Sequence, residues 1–165
     1  MKVVLLGATR GMGRAVARVF AARKDALFLL GRNAEDLERS AADLRARGAA
    51  SVGHAVCDLE SPAGFSAALD SADAALGGFD TVVVTAGLFA TQDELEADAT
   101  IAERVTRVNF TNTLLFCEAV RKRLLARGGG TLAVWSSVAG ERGRKPIVIY
   151  GAAKAGLTQY LEGLD

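Results

Sequence analysis

Val3-Val4-Leu5-Leu6-Gly7-Ala8-Thr9-Arg10-Gly11-Met12-Gly13, near the start of this 165-residue chain, joins an apolar run to three spaced glycines. Four apolar residues in succession predict a buried strand, and the glycines predict a sharp turn straight into a helix. Backbone without side chains can approach a pyrophosphate closely. The helix start then offers it unpaired N–H groups and the positive end of a dipole. Gly7, Thr9, Arg10, Gly11, Met12 and Gly13 are therefore expected to hold a dinucleotide, with a plain tight turn as the alternative. No Gly-Lys-Ser/Thr follows, which excludes a Walker-type phosphate loop. The spacing G-x-x-x-G-x-G is looser at its first gap than the common G-x-G-x-x-G.

The same alternation recurs along the chain. Apolar runs at Val3–Leu6, Ala26–Leu30, Val52–Val56, Thr81–Thr85 and Thr131–Trp135 predict five buried strands. Between them, Met12, Val16, Val19 and Phe20 share one helical face; so do Leu37, Ala41 and Leu44, and Phe65, Leu69, Ala72 and Leu76. Asn33 with Asp36 resembles a capping box, and Ser61-Pro62 reads as a cap with proline at the first helical position. A long helix is expected from about 97 to 127, with Val105, Val108, Leu115, Ala119 and Leu124 inward and Gly128-Gly129-Gly130 ending it. A last helix covers about 148 to 163. The order βαβαβαβαβα is that of an α/β fold, a doubly wound parallel sheet of the Rossmann kind. No repeat or linker interrupts it, so residues 1–165 are expected to form one domain.

Half of the residues are hydrophobic and 24% are charged, which argues against a disordered or collagenous chain. Twenty Lys and Arg against nineteen Asp and Glu leave a formal charge of +1, so no broad basic field recruits nucleic acid or an anionic membrane. Cys57 and Cys117 lack CxxC spacing and His54 is the single histidine, so no metal site is expected. Both thiols read as small hydrophobes in a reducing compartment. The apolar start is broken too early for a signal peptide, and no run approaches the ~18 apolar residues of a membrane span. A soluble cytoplasmic protein is expected.

The choice of dinucleotide turns on the end of the second strand, Leu29-Leu30-Gly31-Arg32-Asn33. A carboxylate there would accept hydrogen bonds from the ribose hydroxyls of NAD. Gly31 takes that place, Arg32 follows, and Arg10 projects from the glycine turn. Two guanidinium groups suit a 2′-phosphate, which they can grip bidentately. NADP(H) is expected over NAD(H), with solvated arginines as the alternative.

Tyr150 and Lys154 are four residues apart on the last helix, so phenol and ammonium share a face. A phenol is an inefficient acid–base near neutral pH, and a cation beside it favours the ionised form. Alone, such a pair is a common surface feature. Ser136-Ser137 ends the fifth strand, where α/β sites collect, and the Ser137 hydroxyl there would stabilise a developing oxyanion. Ser136 reads as a strand-end serine bonding its own backbone.

Together these motifs resemble the short-chain dehydrogenase/reductase family, over all 165 residues. The family's glycine motif has the spacing seen here, with Leu6 in place of the usual Thr before the first glycine. Its serine precedes its tyrosine by thirteen positions, as Ser137 precedes Tyr150. The resemblance implies that Asp58 and the Leu59 amide hold the adenine, and that Ala86 and Gly87 leave room for the adenosine ribose. It implies that Asn109 distorts the long helix and holds a water beside Lys154. Plain readings stand beside these: Asp58 as a loop cap, Asn109 as a structural hydrogen bonder. Thr85-Ala86-Gly87 departs from the family's Asn-Ala-Gly, which puts in question the bonds that Asn makes to the sheet. The implied activity is hydride transfer between a nicotinamide and a carbonyl or secondary alcohol. In it Tyr150 moves the proton, Ser137 orients the carbonyl, Lys154 also holds the nicotinamide ribose, and Asn109 completes the relay. A homodimer or homotetramer through the long helix and the Tyr150 helix is implied too, as are C-terminal strands that the given residues lack.

Glu141-Arg142-Gly143-Arg144-Lys145-Pro146 lies beside the expected substrate mouth, where its three cations would attract a phosphate or carboxylate. A solvated loop is the plain reading. Gly140-Glu141-Arg142, Tyr150-Gly151 and Lys154-Ala155-Gly156-Leu157 are similar to the branch containing decaprenylphosphoryl-ribose ketoreductases, which reduce a keto-sugar on a lipid phosphate. His54, Trp135 and the acidic run at 93–98 read as structural or solvent-facing. The alternative function is a non-catalytic NADP-binding sensor or scaffold on the same fold. A methyltransferase is disfavoured, because no acidic residue ends the second strand.

Overall fold

In the computed structural model the apolar runs become β1 (Lys2–Leu6), β2 (Ala26–Gly31), β3 (Ser51–Val56), β4 (Thr81–Val84) and β5 (Thr131–Val134), each within a residue of its expected limits. They form one parallel sheet in the order β3-β2-β1-β4-β5, with Val3 opposite Leu27 on one side and Thr81 on the other. A parallel sheet is covered on both faces, which is why its strands are continuous in Val and Leu. Val3–Leu6, Leu27–Leu30 and Val82–Val84 are all buried. The order reverses between β1 and β4, so their carboxyl ends flank the switch point at which open α/β sheets bind ligands. The structure describes residues 1–164; Asp165, the last position of the expected domain, lies outside the described residues.

The helices are α1 (Gly11–Ala22), α2 (Ala34–Ala46), α3 (Phe65–Leu76), α4 (Gln92–Ala97), α5 (Ala99–Thr106), α6 (Thr113–Ala126) and α7 (Val148–Glu162). The expected inward faces of α2 and α3 are buried, and Asn33 caps α2 by accepting from the Asp36 N–H at 2.8 Å. Ser61 makes no side-chain cap: its backbone is off cap geometry, Pro62 opens a short 3₁₀ turn (Pro62–Gly64), and α3 begins only at Phe65.

The inward face of α1 differs from the expected one. Gly13, Ala17 and Ala21 are buried, whereas Met12 is 68% and Val19 61% exposed. The helix starts so close to the strand ends that a Cβ at position 13 would collide with the Gly7 carbonyl oxygen and Thr85 Oγ1. Only small side chains fit that seam, so the bulky apolar residues are pushed to its flanks.

The expected long helix is three segments: α5, a π-helical turn (Arg107–Asn112) and α6, preceded by the separate α4. In the acidic run, Thr91 and Glu94 form a capping box at the start of α4, and Asp98 caps α5. The wide turn takes up one more residue than an α-turn and shifts the buried stripe. Phe116 is therefore buried and Leu115, expected inward, is 46% exposed.

The described residues gather into two compact units. One comprises Met1–Ala86 and Glu118–Val134 and contains the whole sheet; the other comprises Gly87–Cys117 and the residues from Trp135 onward. Among the described residues, no helix is long and apolar enough to cross a membrane.

Candidate active site

In the first unit the glycine turn leaves β1 with Gly7 at φ +100° and Gly11 at φ +53°, conformations open mainly to glycine. The Thr85 hydroxyl lies 3.1 Å from the Gly7 carbonyl and 3.3 Å from that of Leu6, to which it donates. The threonine that stands where the family has Asn thus ties the turn to the end of β4 by its own hydroxyl. Leu6, in place of the usual Thr, is buried. Thr9 comes near Gly31 at the end of β2: a Cβ on Gly31 would sit 3.8 Å from Thr9 Cγ2. Met12 points to solvent.

Four features fit a dinucleotide phosphate at this turn. α1 has no side-chain cap, no acidic residue in its first turn and a full twelve-residue length, and open space surrounds the position that a Gly11 side chain would take. Arg10 and Arg32 are both exposed, and each holds a carboxylate: Arg10 meets Asp36 at 2.9 Å and Arg32 meets Glu60 at 3.3 Å. Arg39 and Arg10 beside Asp36 hold its carboxyl below the usual range. Asp58 Oδ1 accepts from the Glu60 N–H at 2.9 Å, the loop-cap geometry, while Leu59 is buried. His54, read as structural, sits 2.7 Å from Glu38.

The second unit brings Gly87, Asn109, Tyr150 and Lys154 together. Lys154 is 5% exposed. Its Nζ donates to the Trp135 carbonyl at 2.9 Å and lies 6.0 Å from the centre of the Tyr150 ring. Burial pushes its ammonium below the ordinary lysine value. A side chain on Gly87 would begin 2.9 Å from Asn109 Oδ1 and 3.8 Å from Lys154 Nζ.

Asn109, in the π turn, is 1% exposed and its amide is fully engaged. Nδ2 donates to the Leu88 and Val105 carbonyls, and Oδ1 accepts from the Leu88 N–H at 3.0 Å. Thr113 Oγ1 donates to the Val108 carbonyl at 2.7 Å, so side chains meet two carbonyls where helical pairing changes. The geometry of the side chain is thus that of a structural hydrogen bonder.

The two serines differ in what they bond. Ser136 Oγ bonds across to α7, at the Lys154 carbonyl (3.3 Å) and Thr158 Oγ1, rather than to its own backbone. It is Ser137 that bonds locally: its Oγ accepts from the Ala139 N–H at 3.1 Å and caps the short turn Val138–Gly140. That bond uses an oxygen lone pair and leaves the hydroxyl hydrogen available to an external acceptor. The turn lies hard against α7, where a Cβ on Gly151 would come within 2.7 Å of the Ala139 carbonyl oxygen.

Two contacts here involve residues to which no sequence pattern pointed. Phe89 meets Tyr150 edge-on, ring centres 5.2 Å apart at 77°. Gln92 Oε1 accepts from the Ile149 N–H at 3.3 Å, at the start of the Tyr150 helix. Thr91-x-x-Glu94 was the available clue, since it marks a helix start and so a built segment.

The sequence matches the short chain dehydrogenase family model over residues 1–165. The chain belongs to that family. An uncharacterized oxidoreductase of Mycobacterium tuberculosis is 33% identical over 162 residues, covering 98% of this chain and 65% of the relative. D-threitol dehydrogenase of Mycolicibacterium smegmatis is 35% identical over 162 residues, covering 94% of this chain and 60% of the relative. Among solved short chain dehydrogenase folds, a variant of actinorhodin polyketide ketoreductase crystallised with NADPH superposes with a TM-score of 0.90 at 26% identity, over 99% of this chain and 63% of that one. This chain therefore spans somewhat under two thirds of the length of these proteins.

Proposed function

We propose that residues 1–165 are the dinucleotide-binding and catalytic domain of an NADP(H)-dependent oxidoreductase that interconverts a ketone and a secondary alcohol. The observation that carries this reading is Lys154, an ammonium shut away from water next to a phenol, bonded to a carbonyl and, among the described residues, to no carboxylate. A buried charge without a counter-charge is costly, and such groups mark functional sites.

NADPH, when bound, supplies the hydride that reduces the carbonyl carbon. Ser137 donates its free hydroxyl hydrogen to the carbonyl oxygen and stabilises the charge developing there. Tyr150 delivers the proton to that oxygen, and Lys154 favours the phenolate that remains. Lys154 also serves the nicotinamide ribose. Asn109 acts by holding Leu88 and the π turn in place. The reverse oxidation uses the same groups.

Gly7, Thr9, Gly11, Met12 and Gly13 supply backbone to the pyrophosphate, Asp58 and Leu59 serve the adenine, and Ala86 and Gly87 give space to the ribose. Arg10 and Arg32 take the 2′-phosphate. Both arginines are now held only in solvent-screened ion pairs, which a dianion can outcompete. Arg142, Arg144 and Lys145, exposed and without ion pairs among the described residues, favour an anionic group on the substrate. The protein works as a homodimer or homotetramer through the α5–α6 segment and the Tyr150 helix; α5 and the π turn carry a depression of about 430 Å³ lined by Ala102, Glu103, Thr106, Arg107 and Thr111.

The test is absorbance at 340 nm with NADPH and a panel of ketones, quinones and keto-sugars, in wild type and Tyr150→Phe. Turnover in wild type that falls by about 10²–10⁴ in the variant, with NADPH still bound, supports the reading. Full turnover in the variant removes Tyr150 from its role.

A further inference from the structure

Phe28, Phe65, Phe79 and Phe116 are buried, but Phe89 is 62% exposed. An aromatic ring left in water is informative where it lies beside reacting groups, and this one stands edge-on to Tyr150 at 5.2 Å. Its exposure is not that of a loose loop. On one side Leu88 is bonded through both its N–H and its carbonyl to the buried amide of Asn109. On the other, Gln92 is 9% exposed and accepts from the Ile149 N–H. The backbone flanking the ring is thus fastened to the π turn and to the start of α7. The phenylalanine makes a T-shaped contact with the phenol ring and keeps most of its surface open.

We infer that Phe89 is a specificity-determining residue: its ring is an apolar wall beside Tyr150 and selects ketones that carry an apolar substituent on the carbonyl. The inference rests on the reductase reading above and names the substrate class for that site. A substituent long enough to reach the ring removes its open surface from water, whereas a one- or two-carbon substituent does not reach it. The neighbouring exposed side chains agree in character. Val138, next to Ser137, is 66% exposed, and Val148, two residues before Tyr150, is 51% exposed.

The experiment compares kcat/KM for 2-butanone, 2-octanone and acetophenone with NADPH in wild type, Phe89→Ala and Phe89→Leu. Phe89→Ala is expected to lower kcat/KM for 2-octanone and acetophenone about tenfold, mainly through KM, and to change 2-butanone by less than about twofold. Phe89→Leu, which restores an apolar wall, recovers most of the loss with 2-octanone. Equal losses on all three ketones would make Phe89 a positioning residue for Tyr150 and overturn the inference while the reductase reading stands. Unchanged ratios in Phe89→Ala overturn it as well. Wild-type protein that binds NADPH yet reduces none of the three overturns the inference, and the reductase reading falls with it only if the wider panel of quinones and keto-sugars is also left unreduced.

Discussion

The peptide N–H of Ile149, one residue before Tyr150, donates to Oε1 of Gln92 at 3.3 Å. A helix start leaves its first N–H groups without partners, and α7 receives no cap from Ile147. Gln92 supplies one from a separate segment, and its own Nε2 is steadied by Glu96 at 2.8 Å.

Gln92→Leu keeps the volume and deletes the acceptor. It is expected to cost about 1 kcal/mol in urea unfolding, as caps do, and to lower kcat more than it raises KM, because Tyr150 loses its register. A variant with wild-type kcat would show that the bond does not set the position of the phenol.

The buried ammonium gives stability a defined pH dependence. Folding holds Lys154 below the ordinary lysine value, so between that depressed value and about 10.4 the unfolded chain binds more protons than the folded one. The associated stability is full above the unfolded value and is lost as pH falls through the folded one. Comparing wild type with Lys154→Met by urea unfolding at pH 7 and pH 9.5 should show wild type gaining on the variant at the higher pH. Curves that stay parallel would deny the desolvation.

The seam between the glycine turn and β4 allows two graded substitutions. Thr85→Val removes the hydroxyl bonds to the Leu6 and Gly7 carbonyls and is expected to cost about 1 kcal/mol, a fall of roughly 2–4 °C in Tm. Gly13→Ala drives a methyl into the Gly7 carbonyl oxygen and Thr85 Oγ1 and is expected to cost about 1–3 kcal/mol and to weaken NADPH binding. The reverse ranking in thermal melts would mean that α1 can move away from the strand ends.

Arg32→Asp exchanges the cation after β2 for a ribose-binding carboxylate. The ratio of Kd values for NADPH and NADH, measured by nicotinamide fluorescence, should invert. An unchanged ratio would free Arg32 of the phosphate and leave it as the partner of Glu60.

Most of the sheet and the spacing of the reactive groups were legible in the sequence, because each depends on local pattern: continuous Val and Leu for strands, and i, i+4 for the Tyr150–Lys154 pair. The α1 face was not, since Gly13, Ala17 and Ala21 are buried by closeness rather than by hydrophobicity. Nor was Phe116 over Leu115, two adjacent apolar residues between which only the extra residue of the π turn decides. That Ser136 bonds α7 rather than its own backbone was not legible either, because the pairing depends on residues eighteen and more positions away. Phe89 and Gln92 act on residues more than fifty positions away, and no periodicity carries that information.

Cys57 and Cys117 are buried thiols outside any disulfide, and burial, with Asp58 beside it, pushes the Cys57 thiol up to about 11. Alkylating reagents attack the thiolate, and a thiol so shielded offers them almost none at neutral pH. The Cys57 sulfur is therefore a silent clock: the pace at which iodoacetamide marks it measures how often the surrounding layer comes apart.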